Sequence, residues 1–331
     1  MNSYFFTNQK GKEYTAPSAL APLADTHTHL FLGKNLSDLE LIEHAAAAGV
    51  ELLGVPIDPV DLQDGRFQFI QESVDTHEES VLDQEKLQNH QTNPESLISF
   101  LEDTWRGWQQ ALPQASILSK TSFVCGVHPF GAAHFSASIH AQLEEALASP
   151  LVRAVGEIGL DYTCDIEPEV QQRVFVTQLK MAQEAHMPVE LHIRDARDDT
   201  SFQAHADALS LLEKYGVPPA GADLHCFTGN TEMLLPYLEL GCMVAFGGAA
   251  TFAKDDAIRE AACVCPADRI LSETDSPFMA PVPLRGTECE PAMVCFVAAC
   301  LAQVREDAGV ATKQETYDAL WNNAVRFFGF E

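Results

Sequence analysis

The sequence predicts an α/β protein whose repeats close into a (β/α)8 barrel. Three observations carry this. Eight short apolar segments alternate with helical segments along the chain. Strand–helix alternation builds a parallel sheet, because each helix returns the chain to the same edge. An eightfold repeat favours a closed barrel over an open sheet. Finally, the residues able to do chemistry fall at the ends of the strands, where such barrels, of the TIM type, build their sites.

Residues 1–22 are polar with a Pro-rich end and read as an N-terminal extension to a barrel domain over 23–331. Strand one spans about 23–28. Ser37 caps a helix from Asp38 to about Ala48, with Leu39, Ile42, Ala45 and Ala46 at helical spacing and Gly49 as its stop. Strand two is Val50 to Pro56. An acidic insertion follows at about 60–93, rich in Gln, Glu, Asp and Asn and too poor in apolar residues to form a core alone. A helix from Pro94 to about Leu112 carries Leu97, Leu101, Trp105 and Trp108 on one stripe, which reads as core. Strand three is 121–127, and a helix at 138–148 leads to strand four, 152–157. Helix 168–185 leads to strand five, 188–193, and helix 201–214 to strand six, 222–227. Helix 231–239 leads to strand seven, 242–246, and helix 255–262 to strand eight, 269–275; two helices end the chain.

Composition narrows the function. The formal net charge of −28 gives no broad attraction for nucleic acid, so a phosphate-bearing substrate needs bound metal or local cations. No run of about 18 apolar residues suggests a membrane span. The opening stretch lacks the basic and apolar regions of a signal peptide. Nine scattered cysteines without a CxxC pair read as reduced and intracellular, hence a cytoplasmic protein.

The segment Asp25-Thr26-His27-Thr28-His29 is the first chemical signal. Alternate strand residues share a face, so His27 and His29 point together, with Asp25 beneath them. Two neutral imidazoles make a half-site for a divalent ion. The other strand ends answer it with His128, Glu157, His192, His225 and Asp275. Each alone reads as a structural histidine, a helix cap or a surface charge; their coincidence on one rim does not. Histidines and carboxylates in this mix suit two borderline divalent metals about 3.5–4 Å apart with a bridging carboxylate. Such a pair activates water and stabilises the leaving oxygen.

In these stretches the chain resembles the TatD family of metal-dependent deoxyribonucleases, a branch of the amidohydrolase-like TIM barrels. The resemblance covers roughly 23–330 apart from the insertion, and rests on Asp25 to His29, Gly126 to Pro129, Gly156 to Tyr162, Pro188 to Ala196, His225 to Gly229 and Glu273 to Pro277. Arg285-Gly286 and Asn323 to Gly329 fit as well. It implies that His27, His29 and Asp275 hold one metal, that His192 and His225 hold the second, and that Glu157 bridges them. Asp275 and Glu157 are thus the catalytic residues, with Asp275 handling the proton of the attacking water. It implies substrate contacts from His128 and Arg194, with Arg285 a further candidate, and a supporting hydrogen bond from Asp161. The implied cofactors are two divalent ions, Mg, Mn or Zn. The implied activity is 3′-to-5′ exonuclease action on single-stranded DNA or RNA; no protein partner is evident in the sequence. Metal-dependent hydrolysis of an ester or amide, as by an aminoacyl-tRNA deacylase, is the alternative. Two departures touch the mouth: Phe130 stands where the family often carries a second histidine, and Cys289 stands where Asn is usual before Glu290-Pro291.

Overall fold

The computed structural model describes residues 4–65, 96–197 and 199–330. A two-stranded antiparallel hairpin, β1 (Phe5–Thr7) and β2 (Glu13–Thr15), comes first. Its Phe6 is buried, edge-on to Phe296 of the helix Val294–Asp307. The barrel strands follow: β3 (Leu23–Asp25), β4 (Val50–Ile57), β5 (Thr121–Cys125), β6 (Val152–Asp161), β7 (Val189–Arg194), β8 (Ala222–Leu224), β9 (Met243–Phe246) and β10 (Ile270–Ser272). They lie in sequence order in one eight-stranded parallel sheet. Backbone bonds join its two edges: Thr26 N–H to Ser272 O at 3.1 Å, Asp275 N–H to His27 O at 3.0 Å and His29 N–H to Ser276 O at 2.9 Å. The expected (β/α)8 barrel is the fold.

The helices sit where the sequence places them. Ser37 and Glu40 form a reciprocal capping box on Asp38–Ala47. Leu97–Ala111 is capped by Ser96 and buries Trp108 between Phe31 and Phe123, at ring distances of 6.2 and 5.4 Å. The expected start of this helix at Pro94, and most of the acidic insertion, lie outside the described residues. The insertion's first residues belong to the helix Pro59–Gln63, capped by Asp58.

The strand ends depart from expectation, always at the mouth. The first strand stops at Asp25, the sixth at Leu224 and the last at Ser272. There the backbone gives up regular pairing to turn side chains inward: Cys226 and Asp275 take φ of 48° and 56°. Left-handed backbone at a non-glycine residue is costly and collects at functional sites. The fourth strand instead runs on to Asp161, with a register shift between Val155 and Ile158 that re-aims Glu157. At Gly156 a Cβ would lie 2.7 Å from Glu190 Cβ and 2.9 Å from Val124 Cγ1, so only glycine fits there.

Two apolar layers hold the barrel. The larger packs Leu53, Val55, Phe123, Leu191 and Val244 against the helices. A second, lined by Ala24, Leu52, Val124, Ala154, Ala245 and Leu271, is completed by Phe327 and Phe328 at the end of the chain. The mouth is left free for polar groups.

Candidate metal centre

His27 and His29 leave β3 on a segment bonded to the last strand, which pins their Nε2 atoms 3.1 Å apart. Asp275 brings Oδ1 to 3.7 Å from both nitrogens. Glu157 brings Oε1 to 3.9 Å from His27 and 3.7 Å from His29. These separations suit donors gathered around one divalent ion at about 2.0–2.2 Å. The other Glu157 oxygen, Oε2, faces a second group: it is 3.1 Å from His192 Nδ1 and 3.6 Å from His225 Nε2. All six residues expected as ligands therefore converge, and Glu157 gives one oxygen to each half.

Carboxylates behind the histidines decide which ring nitrogen is free. Glu190 Oε2 lies 2.9 Å from His27 Nδ1, and Glu273 Oε2 lies 3.0 Å from His225 Nδ1. An N–H given to each carboxylate leaves Nε2 of both rings with its lone pair toward the centre. Burial and the neighbouring His225 hold His27 well below the usual imidazole range, and burial lowers His29 to about 4. Burial would also lower His225, but Glu273, Asp275 and Glu157 outweigh it and raise it well above normal. Without a cation, the surrounding carboxylates favour the charged form of His225.

Glu190, Asp223 and Glu273 stand two residues before His192, His225 and Asp275, and none is exposed to solvent. Glu190 and Asp223 are register partners across β7 and β8. Among the described residues, Glu190 Oε1 and both Asp223 carboxylate oxygens have no hydrogen-bond partner. Burial pushes both carboxyls well up. The fit to divalent metal rests on the donors that converge at the mouth, His27 with His29 and Asp275, and His27 with Glu157 and His225, imidazoles and carboxylates of the kind such ions take.

Around this centre, His128 lies with its ring centroid 4.3 Å from that of His192. Its Nδ1 accepts the Phe130 N–H at 3.1 Å, and burial lowers its pKa to about 3. A neutral ring accepting at Nδ1 carries its proton on Nε2. Asp161 Oδ2 is 3.0 Å from His192 Nε2; burial raises the carboxyl, but bonds from His192 and Thr163 prevail and bring it to about 2. Arg194, two residues past His192, is exposed and has no ion pair among the described residues. Arg285 lies over the Phe252 ring at 4.2 Å and not among the donors. Asp25, expected beneath the histidines, engages both its carboxylate oxygens at the closing seam. Its carboxylate accepts from Thr274 N at 2.8 Å and Oγ1 at 2.6 Å, clasping first strand to last. Strand alternation ends at Asp25, so it does not carry through to His27.

Sequence reasoning passed over four residues. Glu190 and Glu273 orient the rings of His27 and His225. Gln178 and Gln171, on the helix Pro168–Ala185, each make a pair of bonds to backbone at a strand end. Gln178 accepts from Val127 N and donates to Val127 O at 2.7 and 3.0 Å, and Gln171 does so with Asp161 at 2.8 and 3.0 Å. The signals were present: an acid two residues before His192, His225 and Asp275 in apolar strands, and glutamines two helical turns apart on a buried helix face.

A parallel barrel whose mouth gathers imidazoles and carboxylates around a shared glutamate defines a metal-dependent hydrolase. The chain belongs to the TatD-related DNase family, whose model matches residues 24–329. It is 39% identical over 207 residues to the uncharacterized metal-dependent hydrolase YcfH of Escherichia coli K12, covering 62% of this chain and 73% of that one. It is 35% identical over 175 residues to the 3′-5′ ssDNA/RNA exonuclease TatD of the same organism, covering 52% and 64%. In structure it resembles the E. coli TatD homologue YJJV, with a TM-score of 0.70 at 24% identity over 94% of this chain and all of that one. No helix among the described residues is long and apolar enough to cross a membrane.

Proposed function

We propose that this chain is a dinuclear phosphodiesterase, releasing nucleotides 3′-to-5′ from single-stranded DNA or RNA in the cytoplasm. The observation that carries the two-ion reading is Glu157, whose oxygens address separate pairs of imidazoles. The substrate follows from the family and from relatives named for that activity. The free state of all nine cysteines supports a reducing compartment. The activity resides in residues 23–331, with 1–22 an addition to it.

His27, His29 and Asp275 would hold one ion, His192 and His225 the other, and Glu157 both. Bound divalent ions would supply the Lewis acidity that activates water and steadies the phosphoryl oxygens. The chain's own groups do the rest. Burial raises the Asp275 carboxyl to about 7, Glu157 and Glu273 adding to the rise against His225 and His192. That shift belongs to the metal-free protein; with an ion bound, the Asp275 carboxylate would be ionised and placed to take the proton of the attacking water. His128 donates from Nε2 to a phosphoryl oxygen, and Arg194 brings a fixed positive charge to a strongly acidic chain. Both orient the phosphate in line with the water.

Release of nucleotides from 3′-labelled single-stranded DNA tests this, using metal-free protein resupplied with Mg, Mn or Zn and Asp275→Asn as control. Metal-dependent release absent from the variant is expected. Metal binding without release on any nucleic acid would overturn the reading in favour of an ester or amide substrate.

A further inference from the structure

Beside the metal centre lies an open groove of about 620 Å³ that none of the roles above uses. Its wall includes Phe278, Lys34, Asn35, Thr287 and Glu288, and Gln9 closes one side. The volume falls within the range of small-molecule sites. Phe278, a large apolar ring, is 53% exposed. Its other side meets His29 edge-on at a ring distance of 6.2 Å. Lys34 has no ion pair among the described residues, in a chain with 20 basic against 48 acidic residues. The one acid in the wall, Glu288, is already engaged: its Oε1 accepts from Lys34 N and Asn35 N at 3.0 and 3.1 Å. Gln9, from the turn of the N-terminal hairpin, is fixed there by donating to Gly286 O.

An exposed aromatic face, an uncommitted ammonium and side-chain amides are the groups that bind a nucleotide. The ring stacks a base of any identity, the cation meets a phosphate and the amides reach base or sugar edges. A sheet of apolar substrate would leave Lys34, Asn35 and Gln9 unanswered. We propose that this groove is a nucleotide subsite, in which Phe278 stacks the base flanking the phosphate under attack. The N-terminal hairpin, a sheet separate from the barrel, thereby completes a substrate site through Gln9. This deepens the nuclease reading and rests on it for the identity of the polymer.

Two measurements separate the subsite from the nuclease activity. The first compares kcat/KM for an intact short single-stranded DNA with that for the same strand carrying an abasic residue at the 3′-terminal or next position. In Phe278→Ala the preference for the intact strand falls roughly tenfold, the loss of one base–aromatic stack. Lys34→Ala lowers kcat/KM on both strands and weakens its dependence on salt. The second measurement reads binding alone, in EDTA, from the fluorescence of a 2-aminopurine base at the 3′ end. Quenching by the wild type, lost in Phe278→Ala, is expected. Quenching without turnover on any metal would keep the subsite and remove the nuclease reading. Turnover with an unchanged preference and unchanged quenching in Phe278→Ala would remove the subsite and keep the nuclease.

Discussion

Glu190 of the fifth barrel strand reaches His27 after the first, its Oε2 lying 2.9 Å from the imidazole Nδ1 with both side chains shut off from solvent. The contact joins two strands that are not neighbours in the sheet. It fixes the tautomer that leaves His27 Nε2 facing the centre.

Glu190→Gln keeps the size of the side chain and an oxygen that can accept the Nδ1–H, while removing the charge. Metal affinity at the His27 half of the centre should fall by about 10–100-fold. Thermal stability should change little, because the amide NH2 takes the place of an oxygen, Oε1, that already has no partner. Competition titration with a chromogenic chelator, alongside a thermal melt, reads both; unchanged affinity would remove the orienting role.

Glu157→Gln should lower turnover by orders of magnitude in a folded protein, since its two oxygens address both halves of the centre. Metal content by elemental analysis should drop below that of the wild type. Near-normal activity would exclude it as the bridge.

Metal binding should release protons and tighten as pH rises through neutrality. His225 is raised well above the usual range, against burial, by Glu273 and its neighbours. His192 is raised too, against burial, by its bonds to Asp161 and Glu157. Both rings therefore favour their protonated form more than a free imidazole does, and metal binding must displace that proton. Calorimetry in two buffers of different ionisation enthalpy measures the release; affinity independent of pH from 6 to 8 would contradict it.

His44 and Glu290 form a pair away from the centre, 2.7 Å apart between Nδ1 and Oε2. The hydrogen bond to Glu290 raises the His44 pKa in the folded state, with burial opposing it. A raised histidine contributes stability fully below its unfolded value of about 6.5, and that contribution is lost as pH rises through the folded value. The pair is partly exposed, so the change is at most about 1 kcal/mol. Denaturant melts above pH 6 should show it, and His44→Gln should flatten that part of the curve.

The barrel was legible from the chain because its two periods are local: apolar strand segments and helical stripes alternate, and each carries its own turn and cap. Ser37 with Glu40, and the Trp108 stripe, are read from neighbours within a few residues. The six converging side chains were legible for a related reason, since a parallel barrel brings all strand ends to one mouth. What the tertiary structure alone decided is everything set by pairs distant in sequence. Asp25 was expected beneath the histidines, yet it clasps Thr274 across the closing seam, because the strand ends there and alternation no longer governs. The division of Glu157 between two pairs of imidazoles depends on a register shift in its strand, which no period reports. Glu190 beneath His27, and Gln9 beside Phe278, join segments far apart along the chain, and only closure of the barrel and docking of the hairpin bring them within reach.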